Sequence, residues 1–453
     1  MSQVTSTVRN PDLRSPRFMS RRGWWLVVLN LLIPGSAQVL AGNRRLGRFG
    51  LATTLLFWLL VVASVVLALA ARGVLLTILT FTPALLALVV VVLFYVVLWI
   101  VLTFDTLRLV RFVRLAPRAR GFVAGVGVLL LVASLAGGGF VVANSVAAIG
   151  LLGIFAPGAS EPPIDGRYNI LLLGGDAGPD RLGLRPDSIS VVSIEAATGS
   201  ATIFGIPRNM EDVPFAADSP LWGPFPNGYN CGTECLVSYL YTYAEEHPDL
   251  YPDAVEQGSR PGIEATRDAT EGILGLEIPY YVLIDMQGFA ALIDALGGVE
   301  IDVTERVPLG SNTFDNGRPA DPIGFIEPGL QRMDGQTALW YARSRYGTTD
   351  YDRMARQRQV QEAILRQMDP ANVLLKFQGV AQAGSQVVST DIPQSMLGYF
   401  VELGEKTKEL PLTKIDFVPP LIDDEANPDF ELIQATVDAA LVPYTPPPTD
   451  PAG

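Results

Sequence analysis

Residues 168–209 read YNILLLGGDAGPDRLGLRPDSISVVSIEAATGSATIFGIPRN. Three short runs in it, 168–173, 189–194 and 201–206, are mostly apolar and are broken by Gly-rich or polar turns. Runs of this length and character predict strands in a sheet covered on both faces. Three more strands are predicted at 280–284, 299–303 and 415–418, and helical periodicity fits 236–246, 264–274, 287–296, 351–368 and 393–403. From about Glu161 onward the chain therefore reads as α/β. Asp176 follows the end of the first strand, Asp187 begins the second, Arg185 stands between them, and Arg208 leaves the third strand after Pro207. Carboxylates at neighbouring strand ends can converge on a hard cation such as Mg²⁺, which needs only one or two of them beside water and phosphate oxygens. The GGDAG turn lacks the Lys-Ser/Thr of a P-loop and the spacing of a dinucleotide fingerprint.

A second cluster lies at 341–359, YARSRYGTTDYDRMARQRQ, with five arginines and two aspartates in an otherwise acidic region. A guanidinium is always charged and presents a planar fork that matches phosphate oxygens two at a time, so this is the composition of an anion site. Arg343 and Arg345 alternate as on a strand or an extended turn. Arg353, Arg356 and Gln357 fall at i, i+3 and i+4 on one helical face, which continues as Val360 and Ile364. The N-terminus of that helix adds its own partial positive charge. Arg358 lies about 140° around the helix from Arg353 and is expected to take no part in the grip.

Charge divides the chain. Residues 1–120 hold fourteen arginines and two acids, a net of +12, whereas 121–453 hold nineteen basic and forty-four acidic residues, a net of −25. Four apolar stretches precede the acidic part: 24–41, 49–71, 74–104 and 121–156. The last three are long enough to cross a bilayer core, which takes about 20 residues. The first is short, broken by Pro34 and Gly35 and interrupted by Asn30 and Gln38, and reads as a re-entrant or interfacial hairpin. Arginines before Trp24, at 44, 45 and 48, and between 108 and 120 place those segments in the cytoplasm by the positive-inside rule. The expected organisation is a basic N-terminus with a hairpin (1–48), three transmembrane helices (49–156), an extracytoplasmic domain (161–440) and a disordered Pro-rich tail (441–453). A net charge of −25 on the outer part argues against nucleic acid as a partner.

Cys231 and Cys235, with three residues between them in a region placed outside the membrane, predict a small disulfide. His247 is the only histidine, which excludes a His-based triad and leaves no second cluster for zinc.

The segments NILLLGGD, RPDSISVVSI, FGIPRN, IPYYVLIDMQGFAALIDALGGVEIDV, MDGQTALWYARSR and DYDRMARQRQ occur in the order of the LytR-CpsA-Psr family of envelope proteins, which residues 165–370 resemble. The resemblance implies a three-layer α/β/α extracytoplasmic domain with a mixed central sheet, preceded by an α-helical membrane region. It implies a cell-envelope glycopolymer ligase that transfers a phosphoglycosyl group from a polyprenyl-pyrophosphate-linked glycan to peptidoglycan or a related wall polymer. Carried over by motif, Asp176 and Asp187 would hold Mg²⁺; Arg185, Arg208, Arg343, Arg345, Arg353, Arg356 and Gln357 would clamp the pyrophosphate; and Arg345, Asp350 and Arg353 would serve catalysis. The lipid would need an apolar groove, for which the uncharged faces of 287–296 and 360–365 are the candidate walls. A non-catalytic polyprenyl-phosphate-binding regulator and a pyrophosphatase with water as acceptor are the rival readings. The sequence departs from the family pattern at Asn209, where an aspartate is usual, in the loosely matching stretch 210–262, and in having three spans where relatives usually have one anchor.

Overall fold

A computed structural model describes residues 15–153, 155, 161–176, 185–309, 321–344, 346–367 and 388–442, with the side chains at 72, 151 and 176 left aside. The expected tail from 443 onward and the candidate Arg345 lie outside the described residues. The chain divides into two compact units, Met1–Ile149 and Gly150–Gly453.

The first unit is all helical: α1 (Pro16–Leu32), α2 (Ser36–Ala41), α3 (Arg44–Ala70), α4 (Arg72–Leu79), α5 (Thr82–Val110) and α6, which runs on to Leu152 from Pro117. Three helices, Arg44–Ala70, Thr82–Arg114 and Pro117–Gly150, are long and apolar enough to cross a membrane. The apolar run 74–104 is two helices rather than one. Its break falls at Thr80 and Phe81, just ahead of a proline in the first turn of α5, where the missing N–H costs nothing. The 24–41 stretch is a hairpin, α1 turning into α2 at Gly35, whose φ of +97° suits glycine. A Cβ there would lie 2.5 Å from the Leu51 backbone nitrogen, so the turn packs directly on α3. The polar residues that mark the hairpin in the sequence are buried against α5: Asn30 donates to Thr103 Oγ1 at 3.2 Å, and Gln38 to the Leu102 carbonyl at 2.8 Å and to Thr106 Oγ1 at 2.9 Å.

The second unit holds β1 (Arg167–Asp176), β2 (Arg185–Glu195), β3 (Ala201–Ile206), α7 (Val237–Glu246), α8 (Pro261–Leu274), β4 (Tyr280–Asp285) and α9 (Met286–Leu296). It continues with β5 (Val299–Val303), β6 (Val307–Leu309), β7 (Gly324–Ile326), β8 (Gly329–Met333), α10 (Gly335–Arg343) and α11 (Asp350–Gln367). It closes with β9 (Val388–Thr390), α12 (Leu397–Lys408), β10 (Thr413–Asp416) and α13 (Phe430–Ala440). Six strands form one mixed sheet in the order β10-β3-β2-β1-β4-β9, with β1 parallel to β4 and antiparallel to β2, and β3 parallel to β10. The predicted strand 299–303 is present but leaves this sheet to pair with β8.

Strand periodicity sorts the apolar side chains into two layers. Leu171, Leu173, Ile189, Val191, Phe204, Ile206, Tyr281 and Leu283 point to one face and pack under α7, α8 and α13, where Leu240, Ile263, Ile273, Ile433 and Val437 complete the main core. Their neighbours Leu172, Val192, Ile203, Val282 and Ile284 point to the other face. There α9, α11 and α12 cover the sheet without filling the space above it. The three-layer α/β/α arrangement with a mixed sheet is thus present.

Candidate functional site

The site lies where β1 ends, β2 begins and β3 ends, because antiparallel pairing of β1 with β2 and of β2 with β3 brings those three termini to one edge of the sheet. Asp176 stands opposite Arg185 in the strand register, so the two motif positions nine residues apart in sequence are neighbours across the ladder. Arg208 follows β3 and forms an ion pair with Asp187 through Nη1. The turn that carries it is fixed from behind: the Arg208 and Met210 carbonyls accept the first amides of α7, from Ser238 at 3.1 Å and Val237 at 3.0 Å.

Helix α11 supplies the other half. Asp350 at its start accepts from Arg353 Nη2 at 2.8 Å and lies 3.9 Å from Arg208 Nε. Asp187, Arg208, Asp350 and Arg353 therefore form a row of alternating charge. Arg353 is 2% exposed. Gln357, one turn on, reaches the same space; its Oε1 is enclosed with no hydrogen-bond partner among the described residues.

Arg356 goes elsewhere. Its guanidinium donates to the Tyr341 carbonyl at 3.0 Å, to the Ser344 carbonyl, and to Thr348 Oγ1 at 3.4 Å, tying α11 to the end of α10. The single face expected for Arg353, Arg356 and Gln357 thus splits, because backbone carbonyls of the preceding turn compete for the middle side chain. Arg343 is the last residue of α10, not part of a strand, and its exposed side chain lines the site. Arg358 stands apart from the charged row. It is 3% exposed and meets Asp416 of β10 at 2.8 Å, over Gly205 of β3, where a Cβ would stand 1.9 Å from Asp416 Oδ1. That glycine is a close-approach position, and the pair seats α11 on the sheet.

The charged row borders a groove of about 590 Å³ between this face of the sheet and the helices over it. Leu172, Val192, Ile203, Val282 and Ile284 form its floor; Phe289 and Leu292 of α9, Val360, Ile364 and Leu365 of α11, and Phe400 and Val401 of α12 form its walls. Asp187, Arg343 and Gln357 are among the few polar residues that line it. The two helical faces named as candidate lipid walls from sequence are both present. Phe155 and α12 are additional walls that no sequence signal marked.

Several further residues escaped the sequence reading. Tyr239, at the start of α7, lies under the Arg185 guanidinium with 5.3 Å to the ring centroid, a cation–π contact that holds Arg185 at the rim. Glu425 receives a side-chain hydrogen bond from Asn209, and burial first and the charge of Asp350 next hold its carboxyl above the usual range. Both depend on contacts between distant segments. Cys231 and Cys235 are bonded to each other with Cα atoms 5.1 Å apart, and His247 is an exposed residue stacked on Tyr243.

Among the described residues no three His, Cys, Asp or Glu side chains gather as a metal cage. Asp187, 26% exposed at the groove rim and already paired with Arg208, fits only a cation that draws most of its ligands from phosphate oxygens and water, as Mg²⁺ does.

The sequence profile of the LytR_cpsA_psr family matches residues 159–424, more than half of the chain and the whole of the charged row described above. The chain belongs to the LytR-CpsA-Psr family. Among individual relatives, it is 26% identical over 227 residues to a polyisoprenyl-teichoic acid–peptidoglycan teichoic acid transferase, TagU, of Halalkalibacterium halodurans, a match covering 50% of this chain and 61% of that one. It is 25% identical over 321 residues to the cell wall biosynthesis protein LcpA of Corynebacterium glutamicum, covering 63% of this chain and 58% of that one. The chain thus spans about three fifths of the length of these two family relatives. The crystal structure of Bacillus subtilis TagV aligns with 62% of this chain and 100% of its own, at 22% identity and a TM-score of 0.43.

Proposed function

We propose that this LytR-CpsA-Psr domain is a cell-envelope glycopolymer ligase, transferring a phosphoglycosyl group from a polyprenyl-pyrophosphate-linked glycan to peptidoglycan or a related wall polymer. The observation that carries the reading is the junction of an apolar groove, lined at one end by Arg343, with the charged row that holds Arg208 and Arg353. A polyprenyl tail is a long apolar chain and a pyrophosphate a compact polyanion. A site that takes both must be greasy along its length and cationic at one end. The groove volume falls within the roughly 300–1,000 Å³ typical of small-molecule sites. The names of relatives, a teichoic acid transferase and a cell wall biosynthesis protein, support the transferase class.

In this reading the acceptor hydroxyl attacks the sugar-linked phosphorus. A new O–P bond forms, the bridging P–O bond breaks, and the polyprenyl phosphate leaves with the electron pair. Such chemistry is catalysed mainly by positioning and by cancelling charge that develops on the phosphoryl oxygens. Arg208, Arg343 and Arg353 supply the charge, joined by Arg185 at the rim and by Arg345. Gln357 offers an amide to the phosphate. Arg356 acts behind them by fixing the loop between α10 and α11. Asp350, pinned between Arg353 and Arg208, is placed to take the hydroxyl proton. Mg²⁺, held by Asp187 and Asp176 together with phosphate oxygens, would neutralise the donor when bound.

The proposal extends to topology: the domain works outside the cytoplasmic membrane on a multi-pass anchor, which agrees with the fourteen arginines of the first 120 residues. Purified protein incubated with a polyprenyl-pyrophosphate glycan, with and without wall acceptor, tests the activity. Acceptor-dependent attachment supports the ligase; release of glycan phosphate into water marks a pyrophosphatase; tight binding without turnover marks a regulator.

A further inference from the structure

Four helices of the first unit meet at one end. Arg22 Nη1 of α1 donates to the Leu109 carbonyl of α5 at 2.9 Å. The Ala116 amide, just ahead of α6, donates to Ser20 Oγ of α1 at 3.0 Å. A Cβ on Gly42, which ends α2 on the way into α3, would stand 2.7 Å from Leu109 Cδ1. At this end each of the four helices carries the same pair of exposed side chains, four residues apart: Arg21 with Trp25 on α1, Arg45 with Phe49 on α3, Phe104 with Arg108 on α5, and Arg118 with Phe122 on α6. A spacing of four puts both members on one helix face. In every pair the arginine stands nearer the helix terminus and the ring one turn deeper into the apolar run. Residues 15–149 hold twelve arginines, no lysine and a single acid, Asp105, so the unit cannot neutralise this charge itself.

We propose that this end of the helical unit is a binding surface for anionic phospholipid headgroups. The rings sit where acyl chains begin, and one helical turn further out, about 6 Å at 1.5 Å per residue, the guanidiniums reach headgroup depth. A phosphodiester offers two oxygens that match the planar fork of a guanidinium, which the ammonium of a lysine would not do. A zwitterionic headgroup brings its own cation, so the arginines favour lipids that carry net negative charge. A soluble anion would meet the arginines but leave the four rings without an apolar partner. This inference rests on the multi-pass reading above.

The test titrates the full chain, in a neutral detergent, with phosphatidylglycerol or with phosphatidylcholine, and counts bound lipid by native mass spectrometry. At low salt phosphatidylglycerol is retained at least about tenfold more tightly, and its advantage shrinks as salt is raised. Combining Arg45→Gln with Arg118→Gln weakens phosphatidylglycerol by about fivefold for each arginine removed and leaves phosphatidylcholine unchanged. Arg366→Gln, an exposed arginine of the second unit, retains both lipids as the wild type does. The salt series on the wild type keeps the inference testable if the double variant does not fold. Equal retention of the two lipids by the wild type, or a folded double variant with undiminished preference, overturns it while leaving the multi-pass reading standing. Inorganic phosphate that raises the melting temperature as much as phosphatidylglycerol overturns it in favour of a soluble anion. A wild type that stays dispersed in buffer without detergent overturns the membrane reading as well.

Discussion

Arg353 Nη2 donates to Asp350 Oδ2 at 2.8 Å across one turn of α11, and the other oxygen of the same carboxylate faces Arg208 Nε at 3.9 Å. One acid thereby aligns two guanidiniums that stand 145 residues apart in the sequence. Arg353→Lys keeps the charge and removes the fork. A lost charge-assisted bond is worth roughly 1.5–3 kcal/mol, so transfer should fall about ten- to hundredfold at unchanged circular dichroism. Wild-type turnover in that variant would mean the arginine clamp has been misassigned.

Arg358 serves stability instead. Its ion pair with Asp416 has side-chain exposures of 4% and 21%. Breaking it with Arg358→Met should cost about 2 kcal/mol, less than the roughly 3–5 of a fully buried pair because Asp416 keeps contact with water. Gly205→Ala drives a methyl into the same contact and should lower the melting temperature as well. Unfolding midpoints equal to the wild type in both variants would refute the lock.

Glu271 on α8 accepts the Ile278 amide at 2.6 Å, and its burial pushes the carboxyl up to about 7. The folded state then binds a proton more tightly than the unfolded one. Stability from this group is complete below the unfolded value near 4.5 and is lost as pH rises through about 7. Glu271→Gln keeps an acceptor for Ile278 and removes the titration, so its melting temperature should change less than the wild type's between those values and exceed it at alkaline pH. Parallel curves would show that the carboxyl titrates normally.

Leu365 lines the groove from α11. Leu365→Trp narrows it and should raise KM for a long-chain polyprenyl donor severalfold, with a smaller effect on a donor carrying a short prenyl chain. Comparing the two donors separates lipid exclusion from damage to the charged end; an equal change in both KM values counts against a lipid in the groove.

A reporter active only in the cytoplasm, fused after Gly453, should be silent if the chain crosses the membrane three times from a cytoplasmic N-terminus. Strong reporter activity would place the domain on the other side.

Much of the chain is legible in order. Apolar runs marked the strands at 168–173, 189–194 and 201–206 because each is buried on both faces, and the 3.6-residue period marked α7, α8, α9 and α11. Short strands such as β6, β7 and β9 escaped, since three residues carry too little periodicity to read. The same holds at the site. Guanidinium and carboxylate chemistry is written in residue type, so Asp187, Arg208, Asp350 and Arg353 could be named in advance, and the family pattern grouped them. Which arginine faces the groove could not be read, because Arg356 and Arg358 are claimed by partners that are brought near only by folding: the carbonyls that end α10, and Asp416 on β10. The Asn209–Glu425 contact and the groove itself belong to that second kind of information. Composition and period determine what each segment is; the pairing of distant segments decides which charges meet.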